Sequence, residues 1–327
     1  MRNTVRVAAV QAEPKWLRLS EGVEHVVELI GAAAAGGARL VAFPETFLPG
    51  YPWWRWVESN QWNVEYSTRC RENSMIRDGA EMRRITAAAR DYGVQVVLGF
   101  GERQDRRIYM AQAVIDEMGQ LISVRRKAGL NSVERKVFAS GTPNLPTVHH
   151  SIIGKVGALT GQENQRPLLT RALRADEEQI HVAAWPGGLN GEAPGPDSSV
   201  TVSRMYALEA GAYVVAPCVV VADAAWAGRG GAPVVTRSGR ARIYGADGTD
   251  VVTPLDEGAE GILFADLELD TTRTGDSESD LTLQHRLRKG GQQAPRATRA
   301  GSARRLGAER WAVPLTLGQY PGDTAAC

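Results

Sequence analysis

The chain has 327 residues, of which 43% are hydrophobic, and its formal net charge is +1. That length can bury the core of one large α/β domain or of two smaller ones. A nearly neutral chain has no overall field that recruits nucleic acid or an anionic membrane, so we expect neither as a partner. No apolar run reaches roughly 18 residues and no basic-then-apolar leader opens the chain, so we expect no membrane span and no secretory signal.

The three cysteines, Cys70, Cys218 and Cys327, lie far apart in the sequence. Their spacing fits neither a disulfide framework nor a metal motif, so we expect no metal and a reducing, cytoplasmic location. Cys218 lies in an apolar run and is interpreted as a small core residue. His149 and His150 are interpreted as structural residues of a strand rather than as a metal pair.

The first hundred residues predict a strand–helix–strand unit. Residues 4–11 form a β-branched run typical of a strand, and residues 22–38 carry apolar side chains at helical spacing. Residues 39–43 form a second apolar strand, which ends at Pro44-Glu45. Such units build α/β layer structures, so we expect an α/β fold.

Strands and helices continue to alternate along the chain. The expected elements are an aromatic-rich loop over 47–62, a helix over 81–92, a strand over 94–99, a hairpin of 108–116 and 121–126, a loop over 128–144, strands over 147–153 and 156–160, a helix over 167–175, a strand over 179–185, a Gly/Pro-rich loop over 187–198, a helix over 202–212, a buried strand over 213–221, a hairpin over 233–254 that turns at 246–248, and a strand over 261–269.

The composition changes after about residue 270, where arginines accumulate among Gly, Gln, Ala and Ser. We therefore predict one domain over 1–270 and a basic tail over 271–327. The tail is interpreted either as a solvated, poorly ordered segment or as an arm that packs on a neighbouring subunit. In the second interpretation, Trp311 and Leu315 would be its anchors.

Residues 155–168 predict a buried strand, a tight turn at Gly161 and a following helix. In α/β proteins such a turn is a usual place for a nucleophile, with backbone N–H groups beside it. Thr160, Gln162 and Asn164 flank Gly161, and none of them is a strong nucleophile without an adjacent base. Because successive strand residues face opposite sides, we expect the Thr160 side chain to point away from that of position 161.

Three charged residues follow predicted strands or lie in the loop after them. Glu45 follows an apolar strand, so a partly buried carboxylate with a raised pKa is expected, suited to a general base. Lys127 could stabilise a developing oxyanion, although a solvated basic face is the alternative. For Glu134 the alternative is a surface ion pair. In open α/β sheets, ligand sites gather at the carboxyl ends of strands.

Several ordered segments between about residues 5 and 269 together resemble the nitrilase, or carbon–nitrogen hydrolase, superfamily, and within it the nitrilase and cyanide hydratase branch. They are 7–11, 43–46, 49–54, Arg126-Lys127, Glu134-Arg135, 157–159, Glu163-Asn164, 181–187 and 205–209. The resemblance implies a four-layer α-β-β-α sandwich, no cofactor, and a homodimer or a larger spiral oligomer.

The family uses a Glu–Lys–Cys triad and a second glutamate. The resemblance places Glu45 on the general base, Lys127 on the oxyanion lysine and Glu134 on the second glutamate. The nucleophile position carries Gly161, which cannot form a covalent intermediate. The expected substrate pocket consists of Tyr51, Trp53, Trp54, Thr160, Gln162, Glu163 and Trp185. For the Trp cluster over 53–56, a core role is equally compatible with the sequence.

Three functions remain open at this point. The first is an enzyme that uses Glu45, Lys127 and Glu134 for non-covalent acid–base chemistry on a small C–N-containing molecule: cyclisation, condensation, hydration or elimination. The second is a non-catalytic binding or assembly protein on the same scaffold. The third is a nitrile or amide hydrolase that works by direct attack of water. Separately from these three, Thr160 is a weak candidate for a substitute nucleophile in place of position 161.

Overall fold

Alternating side chains along the first strand divide the core of the protein into two clusters. The computed structural model describes residues 3–56, 60–188, 197–221 and 238–269. In the first strand, Ala8 and Val10 enter one cluster, whereas Val7 and Ala9 enter the other. This period of two is what a strand with both faces buried produces.

The described strands are, in chain order, β1 (Asn3–Ala12), β2 (Leu40–Ala42), β3 (Gln95–Gln104), β4 (Arg107–Ile115), β5 (Leu121–Arg126), β6 (His149–Ser151), β7 (Gly154–Thr160), β8 (Ile180–Ala184), β9 (Tyr213–Ala216), β10 (Cys218–Val219), β11 (Arg242–Tyr244) and β12 (Gly261–Leu269). The described α-helices are α1 (Leu19–Ala35), α2 (Asn60–Glu72), α3 (Ala80–Tyr92), α4 (Pro167–Ala175) and α5 (Asp197–Ala210). Short 3-10 helices cover Trp53–Trp56, Glu134–Lys136 and Gly161–Gln165.

The strands form two mixed sheets. The first has the order β10-β1-β2-β3-β4-β5, with β12 antiparallel to β1, and the second has the order β11-β9-β8-β7-β6. One cluster joins the first sheet to apolar side chains of α1 and α3, and the other joins both sheets to each other and to α5. The predicted four-layer α-β-β-α sandwich is therefore confirmed.

Most predicted elements agree with the structure, and three differ from it. The predicted aromatic loop over 47–62 already contains the start of α2, whose buried stripe is narrow, with Tyr66 and Cys70 one turn apart. Helix α5 begins at Asp197, inside the predicted Gly/Pro-rich loop. The single strand expected over 213–221 is two strands in different sheets, separated by Pro217, which has no backbone N–H for a ladder.

Several predictions lie outside the described residues: most of the loop over 187–198, the first part of the hairpin over 233–254, and the tail over 271–327. The domain boundary near residue 270 stays a prediction. None of the helices in the described ranges is long and apolar enough to cross a bilayer.

Candidate active site

Glu45 lies just after β2, on a segment with unusual backbone geometry. The next residue, Thr46, has φ +48°, which a β-branched residue rarely adopts. The segment also presses against Gly99 of β3, where a Cβ would lie 2.3 Å from the Pro44 carbonyl oxygen and 2.6 Å from the Thr46 nitrogen. Backbone strain of this kind persists only where the surrounding structure enforces it. The packing around this segment therefore holds Glu45 in place.

The structure brings Lys127 and Glu134 to Glu45, although the three are far apart in sequence. The Lys127 Nζ donates to Glu45 Oε1 at 2.7 Å and to Glu134 Oε1 at 2.8 Å. Each of the three residues is 1% exposed. We call these residues the charged cluster: two buried carboxylates that share one ammonium group.

Glu134 is held by a reciprocal cap and by a phenol. Asn131 Oδ1 accepts from the Glu134 backbone N–H at 2.8 Å, while Glu134 Oε2 accepts from the Asn131 N–H at 2.9 Å. This is the capping-box pattern at the start of a short helix. The Tyr51 hydroxyl donates to Glu134 Oε1 at 2.9 Å. Tyr51 is thereby placed next to the charged cluster, on the side of Glu134.

The electrostatics of the charged cluster follow from this sharing. Burial raises the pKa of Glu45 to about 7; Lys127 opposes the shift, and the nearby Glu134 charge adds to it. For Lys127, burial alone would lower the pKa, but attraction to Glu45 and Glu134 outweighs it, so its pKa is raised and the ammonium stays charged. The result is a carboxylate that can exchange a proton near neutral pH beside a permanent cation.

Gly161 lies directly against the Glu45 carboxylate. Its φ is +48°, in the left-handed region, and an added Cβ would lie 2.2 Å from Glu45 Oε2. The Thr160 hydroxyl also hydrogen-bonds to the Glu45 carboxylate, which lowers the pKa of that group. The expectation that Thr160 and position 161 face opposite ways was therefore wrong, because the left-handed turn at Gly161 ends the strand alternation.

The remaining predicted pocket residues have other partners. Trp53 packs on Tyr51, with ring centroids 4.6 Å apart, and its indole N–H donates to the Pro186 carbonyl at 3.0 Å. Trp54 is 2% exposed and lies in the core cluster between the first sheet and helices α1 and α3. Trp185 is buried in the cluster between the two sheets. The Trp54 and Trp185 side chains thus serve packing.

Glu163 and Gln162 lie on the 3-10 helix that begins at Gly161. The Glu163 carboxylate is 1% exposed and forms a bidentate pair with Arg125, one arm of which measures 3.0 Å. Glu163 thus ties this helix to the end of β5, just before Lys127. Gln162 is partly exposed.

Sequence reasoning missed Arg125, Asn131 and the contact of Thr160 with Glu45. A signal existed for Asn131, because Asn131-Ser132-Val133-Glu134 has the spacing of a capping box. No local signal pairs Arg125 with Glu163, since the contact joins β5 to the short helix after β7, 38 residues further along the chain.

Neither described cysteine is suited to act as a thiolate. Cys70 and Cys218 are both buried, and burial raises the pKa of Cys70 to about 12 and also raises that of Cys218. The interpretation of Cys218 as a core residue agrees with its 3% exposure. Within the described ranges, no three His, Cys, Asp or Glu residues are grouped so as to hold a metal ion.

The four-layer sandwich and the buried Glu–Lys–Glu cluster beside a strand-ending turn define a nitrilase-type α/β protein. The profile of the carbon–nitrogen hydrolase family matches residues 6–275. The chain therefore belongs to the carbon–nitrogen hydrolase family.

The chain is also similar to individual proteins that carry names from this family. The chain is 39% identical over 284 residues to a nitrilase of Pseudomonas syringae pv. syringae, covering 82% of each chain. It is 41% identical to an aliphatic nitrilase of Rhodococcus rhodochrous, covering 82% of this chain and 76% of the relative. A cyanide hydratase of Leptosphaeria maculans is 37% identical over 81% of this chain and 78% of its own.

Solved structures show the same fold. An amidase of Nesterenkonia AN1 from the nitrilase superfamily superposes with a TM-score of 0.64 at 20% sequence identity, over 88% of this chain and 96% of that one.

Proposed function

We propose that this protein is an enzyme that acts on a small C–N-containing molecule without a covalent nucleophile. In this proposal Gly161 stands at the nucleophile position of the family, and Glu45, Lys127 and Glu134 carry out acid–base chemistry. The reaction is a cyclisation, condensation, hydration or elimination. The relatives named nitrilase and cyanide hydratase support the substrate class, since each name specifies a C–N multiple bond.

One observation carries the proposal: the Glu45 carboxylate occupies the space that a side chain at position 161 would need. With Oε2 2.2 Å from an ideal Cβ, a thiol-bearing residue and the observed Glu45 position exclude each other. The base itself therefore stands where a nucleophile would otherwise stand, next to any substrate bound at the turn. Burying three charges is costly unless they are used or fully compensated, which favours an enzyme over an inert scaffold.

The residues then have distinct roles. Glu45, with a pKa of about 7, takes a proton from the substrate or from an attacking water and returns it later in the reaction. Lys127 stabilises negative charge that develops on a substrate heteroatom. Glu134, held by Asn131 and Tyr51, keeps Lys127 aimed at that position.

Hydrolysis by direct attack of water is the second candidate, because the relatives with the highest identities quoted above are named nitrilases. In that reaction Glu45 would deprotonate water, and Lys127 would stabilise the charge on nitrogen or oxygen. Ammonia release separates hydrolysis from cyclisation, condensation and simple hydration, which release none. An elimination that expels ammonia is separated by its product, which takes up no oxygen from water.

The test compares wild type with Glu45→Gln on a panel of aliphatic and aromatic nitriles and amides, and on metabolites that differ between the source organism and a deletion strain. Turnover should fall by roughly 10²-fold or more in Glu45→Gln, the usual scale for a lost general base. Glu102→Gln is the matched control, a buried carboxylate outside the cluster, and it should keep turnover. A Glu45→Gln variant with wild-type turnover would refute the proposal.

We also propose that the chain forms a homodimer or a larger spiral oligomer. Helix α5 exposes Met205 and Leu208, each 49% accessible, and this apolar surface supports pairing through surface helices. Light scattering at micromolar concentration should give at least twice the chain mass; a monomer would contradict this.

A further inference from the structure

A second cluster of buried polar residues lies behind the Gly161 turn, and we call it the relay. It runs from Tyr206 on α5 through Glu178 and His181 to Asn164, whose side chain reaches the Gly161 backbone. Glu178 and Asn164 are 1% and 4% exposed, and His181 is fully buried. Groups so deeply buried are costly unless every hydrogen bond is made.

The donors and acceptors in the relay can be assigned where it meets the Gly161 turn. Asn164 Nδ2 lies 2.9 Å from the Gly161 carbonyl oxygen, which can only accept, so the amide nitrogen must face it. The Asn164 Oδ1 then faces His181 Nε2 at 2.8 Å and can also only accept. His181 must therefore carry a proton on Nε2.

The other ring nitrogen determines the proton count. His181 Nδ1 lies 3.1 Å from Glu178 Oε2, and the Tyr206 hydroxyl donates to the other oxygen of the same carboxylate. A bare Nδ1 lone pair facing a carboxylate would be repulsive, so one more proton lies between Nδ1 and Glu178. The pair thus holds two protons in total, either as imidazolium and carboxylate or as neutral imidazole and carboxylic acid. The Tyr206 ring stacks on the imidazole at 3.7 Å and fixes its plane.

We propose that His181 is a positioning residue of the active site: through Asn164 it holds the Gly161 carbonyl and so keeps the turn in the left-handed conformation that sets Gly161 against Glu45. The inference rests on the proposed function in so far as this turn is the reaction centre. A trans peptide is planar, so fixing the Gly161 carbonyl also fixes the Gln162 N–H on the opposite side. The relay therefore sets which backbone groups face the charged cluster.

The test uses nuclear magnetic resonance on the full-length protein and needs no substrate, so it stays separate from the turnover experiment. In ¹⁵N-histidine-labelled protein, the His181 ring is identified by its loss in His181→Gln. At neutral pH its Nε2 should carry a slowly exchanging proton. A His181 whose Nε2 is unprotonated would overturn the proposal.

A second measurement follows the Gln162 amide resonance, assigned with Gln162→Glu, in four variants. His181→Gln keeps an N–H donor toward Asn164 and should leave the resonance near its wild-type position, whereas His181→Leu should shift it. Asn164→Asp still accepts from His181 but cannot donate to Gly161, so it should shift the Gln162 amide while the His181 ring signals persist. Ser203→Ala, which removes a buried hydroxyl of α5 that accepts from the Trp185 indole outside the relay, is the control for packing and should leave the amide in place.

The Asn164→Asp arm keeps the test decisive if His181→Leu fails to fold. A Gln162 amide that is unmoved in Asn164→Asp, or one that moves equally in His181→Gln and His181→Leu, would show that the relay only packs the core.

Discussion

Glu45 and Glu102 are both buried, at 1% and 2% exposure, and yet their charge balances are opposite. Glu102 is one carboxylate between two guanidinium groups, with Arg126 at 2.7 Å and Arg77 at 2.8 Å. Glu45 shares a single ammonium with a second carboxylate. For both groups, burial raises the pKa. At Glu102 the hydrogen bonds from the two arginines outweigh burial and the pKa is lowered, whereas at Glu45 it is raised to about 7.

One of the two cations of Glu102 is the sequence neighbour of the cation of Glu45: they are Arg126 and Lys127. Arg126 lies over the Tyr109 ring at 3.9 Å and turns to Glu102. Lys127 turns to the charged cluster instead. A buried carboxylate that shares a single cation with another carboxylate can exchange a proton near neutral pH. A buried carboxylate paired with two cations stays ionised. We therefore interpret the Glu102 group as structural and the Glu45 group as functional.

Removing the single cation should have the largest effect. Lys127→Met leaves two buried carboxylates facing each other, and we expect a loss of about 3–5 kcal/mol in the free energy of unfolding, the usual cost of breaking a buried pair. Arg77→Met is the matched control: Glu102 keeps Arg126 and Arg77 is 38% exposed, so its loss should be about 1 kcal/mol or less. Urea denaturation at pH 7 measures both losses. Equal losses would show that the charged cluster depends on Lys127 no more than Glu102 depends on Arg77.

Adding a side chain to the turn should have an intermediate effect. In Gly161→Cys the Glu45 carboxylate must move away, and the left-handed φ adds roughly 1 kcal/mol or more of strain. If the remaining apparatus can activate a thiol, mass spectrometry should detect a covalent adduct with an aromatic or aliphatic nitrile, with ammonia measured in parallel. Gly161→Ser is the matched control without a thiol.

A folded Gly161→Cys protein that gives neither adduct nor ammonia would show that Glu45 and Lys127 do not activate a thiol at this position. It would not bear on direct attack of water, because the added side chain displaces the Glu45 carboxylate that would deprotonate the water.

The smallest effect is expected at Thr160. Its hydrogen bond lowers the pKa of Glu45, so Thr160→Val should move the titration of Glu45 upward by a fraction of a pH unit. In the pH dependence of turnover, this shift would move the acidic limb to higher pH. Thr170→Val, which removes a hydroxyl that donates to the Pro167 carbonyl away from the cluster, serves as the control. A complete loss of turnover in Thr160→Val would instead favour Thr160 as a nucleophile.

Much of the fold could be predicted because its signals are local. The apolar run at 4–11 and the strand at 261–269 stand out by themselves, and the helix before Gly93 ends where a left-handed glycine caps it. Helix α2 was missed because its buried stripe is narrow. The break at Pro217 was missed because an apolar run does not show that the chain passes from one sheet to the other.

The site could be predicted only in part, for a related reason. Glu45 and Lys127 follow strands, and strand ends are where such residues gather. The sequence does not show which cation pairs with which carboxylate. In the structure, Lys127 pairs with both Glu45 and Glu134, while Arg126 pairs with Glu102. This pairing depends on which way adjacent side chains point at the end of β5, which no local pattern encodes.

The most direct test is to titrate Glu45 and Glu102 in the same protein. With ¹³C-labelled glutamate, the Glu45 carboxyl should titrate near pH 7 and Glu102 below the ordinary value of 4.5. The sign of the stability change follows: Glu45 binds its proton more tightly in the folded state, so its stabilisation is complete below about pH 4.5 and is lost as pH rises to about 7. Glu102 contributes the reverse, losing stabilisation as pH falls. A Glu45 that titrates at or below 4.5, like Glu102, would contradict the account of a poised base.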